Sequence, residues 1–146
     1  MAAIIQAAQK PFPQRFAECK QAHAAASAEP SSSHGFSWLA LYLLPTDFER
    51  DANQAARTRV TVTALAVQRF RLAHQQALPE KLDDLVPTYL NSVPIDPFDG
   101  KALRFKKLEK GFVIYSVGKD GQDNDDAEFD SNNREAPIDV TFTVER

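Results

Sequence analysis

Carboxylates crowd one short stretch near the end of this chain. Gly118-Lys119-Asp120-Gly121-Gln122-Asp123-Asn124-Asp125-Asp126 carries four aspartates and follows directly on the apolar run Phe112-Val113-Ile114-Tyr115-Ser116-Val117. Carboxylates packed this densely at the end of a strand repel one another. A divalent cation neutralises that repulsion, and all-oxygen donor sets suit Ca²⁺. Asp120, Gln122, Asn124 and Asp126 fall at alternate positions, as oxygen donors do along a calcium loop. The stretch is not an EF-hand, because the glycine at the sixth position and the closing bidentate glutamate are missing. A solvated acidic loop that binds nothing has the same composition.

Other residues with chemical potential read more simply. Asp96 and Asp99 flank Pro97 in Pro94-Ile95-Asp96-Pro97-Phe98-Asp99-Gly100, where aspartates bond nearby backbone amides as turn residues do. His23, His34 and His74 have no ligand-like or triad-like neighbours. Ser31-Ser32-Ser33 beside His34 lacks the strand–turn–helix setting of a nucleophile elbow and reads as a linker. Cys19 is the single cysteine, which excludes an internal disulfide and multi-cysteine zinc sites; it reads as a small buried hydrophobe. No acid/base pair or activated nucleophile stands out, so the chain reads as non-enzymatic. A small hydrolase would need Asp96, Asp99 and Asp120 around one metal in a shared cleft.

The bulk numbers frame these residues. At 146 residues the chain is one domain's worth, with an ordinary 43% hydrophobic and 25% charged composition. A net charge of −3 offers no basic field for a phosphate backbone, so nucleic acid is not an expected partner. The longest apolar run, Phe36 to Leu44, is far short of the ~20 residues of a spanning helix. Met1-Ala2-Ala3-Ile4-Ile5-Gln6 lacks the basic and apolar regions of a signal peptide. The expectation is a cytosolic chain or one that has lost its targeting segment.

Residues 1–50 read as a helical N-terminal extension of unknown role, and residues 51–146 as the globular domain. Gln14 to Ala28 favours helix, and Glu29 to Gly35 is a loop by composition. Ser37 caps a short apolar helix, Trp38 to Leu44, that Pro45 should end. A long helix follows from about Asp47 to Gln76. On it Val60, Ala64, Val67 and Arg71 share one face, and Val62, Leu65, Arg69 and Leu72 the adjoining one. Pro79 suits the first turn of a second helix carrying Leu82, Leu85, Val86, Tyr89 and Leu90. Leu103 to Lys107 and Phe112 to Val117 flank a hairpin turn, Glu109-Lys110-Gly111. Ile138 to Val144 alternates as a third strand. The long polar connection from Gly118 to Pro137 is of the kind that is functional or disordered. The expected fold is α+β, a long N-terminal helix and short helices packed on a small three-stranded antiparallel sheet.

This order, with Asp-Pro-Phe-Asp-Gly-Lys-Ala-Leu-Arg-Phe from Asp96 and Ser-Val-Gly-Lys-Asp-Gly from Ser116, resembles the periplasmic domain of the type II secretion major pseudopilin. The elements that carry the resemblance are the apolar helix Leu65 to His74, Pro79, the turn Pro94 to Gly100, the hairpin Leu103 to Val117, and Ser116 to Gly121. The match covers roughly residues 55–146. The resemblance implies Ca²⁺ in the loop after the second strand. Asp120 and the Val117 carbonyl match the family's ligands, and Asp123, Asp125 and Asp126 are further candidates by composition and reach. It also implies a bacterial periplasmic or cell-envelope location, with other secretion or envelope proteins as partners.

The chain departs from that family in lacking its processed N-terminal phenylalanine, its membrane-spanning helix and the glutamate near that helix's start. Gln76-Ala77-Leu78 stands where the family has Gly and Tyr before the proline. The expectation is a pseudopilin-like domain cut from a longer protein, or a relative that has dropped the filament role. In either case a structural calcium loop and protein–protein contact define the function. The alternative is a free-standing binding module on the same scaffold without metal.

Overall fold

One stripe of small and branched apolar residues organises the molecule. In the computed structural model, which describes residues 6–27, 37–125 and 139–145, helix α1 spans Gln14–Ser27 and helix α2 spans Ser37–Ala73. Ala52, Ala56, Val60, Thr63, Ala64, Val67 and Arg71 recur at helical spacing on α2, and all are buried. The alanines let other elements approach the helix closely. The valines supply the apolar bulk, at about 1.5–3 kcal/mol for each fully buried branched side chain.

The long helix lies after α1, not at the N-terminus, and Pro45 does not interrupt it. Pro45 is the ninth residue of α2 and forfeits one backbone hydrogen bond, at a cost of about 3 kcal/mol. Splitting the helix there would require a second nucleation and leave two further sets of unpaired terminal groups. α2 also runs through position 50, where the composition changes. The serine run with His34 lies outside the described residues, and so do the side chains of Trp38 to Leu44.

Strands β1 (Arg104–Leu108), β2 (Gly111–Ser116) and β3 (Val140–Glu145) form an antiparallel sheet in that order. The protein is therefore α+β, with helices packed on a three-stranded antiparallel sheet. β2 is central, and its register aligns Phe105, Ile114 and Phe142 across the three strands. Phe112 and Ile114 pack with Val60, Val67, Leu82, Leu85 and Leu103 in the main core. A second cluster joins Phe16 of α1 to Ala52, Ala56, Phe98, Val117 and Val140; the Phe16 and Phe98 rings meet edge to face with centroids 5.0 Å apart.

Two expectations change here. The segment after Pro79 is a single 3₁₀ turn, Leu82–Leu85, and not an α-helix. Leu82 and Leu85 are buried as their spacing suggests, while the Asp84 carboxylate accepts from the Glu80 and Lys81 amides at 2.9 and 3.0 Å and caps the turn. The second apolar stripe of α2 is not core: Val62 is 47%, Leu65 58% and Leu72 75% exposed. A three-stranded sheet is wide enough to cover only one face of the helix.

The β1–β2 hairpin closes through the two-residue loop Glu109-Lys110, because Leu108 pairs with Gly111. Gly111 has φ +155°, and a Cβ there would lie 1.7 Å from the Val144 carbonyl oxygen. Gly111→Ala should therefore push β3 off β2. The expected loss is about 2 kcal/mol or more, read by urea denaturation.

Candidate functional site

The Pro-Asp-Pro turn and the end of β2 meet at one buried carboxylate. Asp96 is fully buried. Its Oδ1 accepts from the Phe98 amide at 2.9 Å and the Ser116 hydroxyl at 2.9 Å. Its Oδ2 accepts from the Val117 amide at 3.0 Å and from Arg104 Nη1 at 3.0 Å. An ionised carboxylate has about four acceptor positions, so four donors saturate it. The local Asx turn is present, as turn chemistry predicts. The long-range bonds turn it into a clamp between the turn and the strand.

Arg104, at the start of β1, carries the counter-charge. Its guanidinium bonds Asp96, both oxygens of Asp99, and lies 3.6 Å through Nε from Asp123 Oδ2. Burial acts to raise the Asp99 pKa, but the Arg104 hydrogen bond, the Lys101 amide and the two nearby cations outweigh it and hold the carboxyl below its ordinary range. Desolvation acts to lower the Arg104 pKa, and its carboxylate partners hold it above the usual value instead. The planar fork suits this bridging role, which a point-like ammonium could not fill.

The acidic loop begins at this corner. Val117 is buried and gives its amide proton to Asp96. Gly118 and Gly121 take positive φ of 64° and 69° at the turn that follows. Asp120 accepts from the Gln122 amide at 3.1 Å and Asn124 Nδ2 at 3.0 Å. Asp123 Oδ1 accepts from the Tyr115 hydroxyl at 3.1 Å and the Asp125 amide at 3.2 Å. Asp125 forms an ion pair with Lys106 Nζ at 3.0 Å. Asp126 lies outside the described residues.

The five residues expected to hold Ca²⁺ are thus adjacent in the chain, but those described are committed to different partners. Among the described residues no group of three or more histidines, cysteines or carboxylates is placed to hold a metal ion. Arg104 and Lys106 contribute the positive charge that the sequence alone suggests a cation should bring. Both residues are visible in the sequence. What the sequence lacks is the hairpin register that sets them opposite the loop.

The other chemical candidates are placed as well. Asp96, Asp99 and Asp120 share no open coordination site: the first is saturated, the second is held by Arg104 and the third by its own loop. Cys19 is fully buried, and burial pushes its thiol pKa up, against the pull of Arg15. His74 stacks on Phe70 with centroids 3.9 Å apart and places Nδ1 2.8 Å from the Phe70 carbonyl. No helix among the described residues is long and apolar enough to cross a membrane. Compared with family models, curated proteins and solved structures, the chain matches none.

Asp96→Ala should cost about 3–5 kcal/mol, because it strands Arg104, Ser116 and the Val117 amide in a buried corner; chemical denaturation measures the loss. Asp99 should add an acid-sensitive increment. With a depressed folded pKa, its contribution is complete above the unfolded value of about 3.9 and disappears as pH falls through the folded value. The stability gap between wild type and Asp99→Asn should accordingly narrow on acidification from pH 6 to 3.

Proposed function

We propose that this chain is a non-enzymatic, pseudopilin-like domain that works by protein–protein contact in a secretion-related or cell-envelope assembly. The observation that carries the reading is the Asp96 clamp. Asp96 belongs to the Pro-x-Asp-Pro turn, and Ser116 and Val117 to the Ser-x-Gly-x-Asp-Gly run. These are two of the five elements that carry the resemblance, and hydrogen bonds of 2.9 and 3.0 Å join them. Two motifs bonded into one buried corner form a single structural unit, which supports common origin over chance spacing. The order of long helix, hairpin, acidic connection and final strand supports the same reading.

The same chemistry supports the non-enzymatic reading. The most buried carboxylate is saturated with donors, and saturated groups neither accept a substrate proton nor coordinate substrate. By the resemblance Ca²⁺ would take Asp120 and the Val117 carbonyl, with Asp123, Asp125 and Asp126 as candidates by composition and reach, and would order the loop. A second reading, a free-standing protein-binding module on this scaffold without metal, is favoured by one specific observation: Asp123 and Asp125 already face Arg104 and Lys106. A metal would have to displace both pairs.

Two measurements separate these readings. A photo-crosslinking residue at Leu65 or Leu72, on the exposed face of α2, should capture secretion or envelope proteins in the native cell. Capture of cytosolic proteins alone would sink the assembly reading. In thermal melts of EDTA-stripped protein, an unchanged Tm with millimolar Ca²⁺ or Mg²⁺ is the outcome for a loop neutralised by Arg104 and Lys106. An upward shift with Ca²⁺ alone, abolished by Asp120→Ala, would establish the calcium loop instead.

A further inference from the structure

The opposite end of α2 holds a second charged residue that the clamp does not use. Arg71 is only 6% exposed, at the foot of the buried stripe. Its Nη1 donates to Gln68 Oε1 at 3.2 Å and its Nη2 to Gln76 Oε1 at 3.3 Å. Both acceptors are neutral and both bonds are long. Nε is buried and has no hydrogen-bond partner among the described residues, and none of those residues forms an ion pair with Arg71. A buried guanidinium that forms no ion pair is unfavourable, because buried charges are ordinarily paired. The carbonyls at the end of α2 offset part of this cost.

Arg71 lines a cavity of about 120 Å³ between the end of α2 and the β1–β2 turn. Gln76, Leu78, Glu109, Lys110 and Gly111 complete much of its wall. Lys110 supplies a second cation at the rim. Gln75 and Gln76 take left-handed φ of 53° and 70°, which folds the chain back so that the Gln76 side chain reaches Arg71. The volume is several times the roughly 30 Å³ that one water occupies in the liquid and well below the ~300 Å³ of small-ligand pockets. It suits a single oxyanion group and not a cofactor.

We propose that this cavity binds a carboxylate- or phosphate-type oxyanion, held by the Arg71 guanidinium that forms part of its wall and steadied by Lys110. Parallel N–H donors of a guanidinium match two oxygens of such a group, and burial strengthens the charge-assisted bonds. The anion has two possible sources: a free ion, or an acidic side chain of a protein docked at this corner. Glu109 on the same wall is a competing internal anion, and Glu109→Gln should tighten binding or leave it unchanged.

The test is a thermal melt of the full chain at fixed ionic strength. Inorganic phosphate is titrated in one arm and N-acetylglutamate amide, standing in for a partner's side chain, in the other. Wild type should show a saturable rise in Tm in at least one arm. Phosphate alone would assign a free anion, and the blocked glutamate alone a docked acidic residue. Arg71→Met should lose the response, and Lys110→Gln should weaken the apparent affinity several-fold. Should Arg71→Met fail to fold, the Arg71 Nε–H resonance of wild type must shift on titration. The proposal is overturned if Arg71→Met responds as wild type does, if that resonance stays still, or if wild type responds in neither arm.

Discussion

The structure depends most on a carboxylate that never meets water. Asp96 is fully buried and accepts from four donors supplied by the turn, β1, the last residue of β2 and the residue after it. In a low-dielectric setting a half-satisfied carboxylate is worse than an apolar residue, whereas a saturated one specifies a single arrangement of everything bonded to it. Here that arrangement includes the turn that carries Phe98 into the second core cluster and the point at which the acidic loop leaves the sheet. Arg104 extends the constraint outward, since one guanidinium faces a buried, a partly buried and an exposed aspartate in sequence.

The clamp also explains how so small a sheet can hold so long a helix. β2 is buried along nearly its whole length, with one neighbour on each side and α2 packed against it. The buried stripe of α2 begins at small residues, Ala52 and Ala56, where Phe16, Phe98, Val117 and Val140 converge, and broadens to valines over the sheet centre. It ends at Arg71, which shares a cavity wall with the sheet's hairpin turn. The two ends of this interface therefore differ in chemistry: a saturated anion at one and an under-satisfied cation at the other.

The acidic loop shows how two physical solutions compete for the same charge. Closely spaced aspartates can be neutralised by a bound divalent ion or by cationic side chains on a neighbouring strand. Arg104 and Lys106 sit two residues apart on β1, and Asp123 and Asp125 two residues apart in the loop, so each of these two loop aspartates faces its own strand cation. Surface pairs such as Lys106–Asp125 contribute little individually, about 0–1 kcal/mol, so their role is to set loop geometry more than stability.

Several features were legible from residue order alone because they rest on local pattern. The helical spacing of Val60, Ala64, Val67 and Arg71, the chain order of the strands, a hairpin turn within Glu109-Lys110-Gly111 and the position of the acidic loop all follow from neighbours a few residues apart. Even the anomaly of Arg71, a charge on an apolar stripe, could be read there. Tertiary structure decided the rest. It selected which of the two apolar stripes of α2 would be covered, since only the width of the sheet settles that. It carried α2 through Pro45, because one lost hydrogen bond costs less than a second helix nucleus. It joined Asp96 to Ser116 and Val117 across 20 and 21 residues, and it set Arg104 and Lys106 against the loop. Such pairings depend on the register between distant segments, and no short-range periodicity encodes that register.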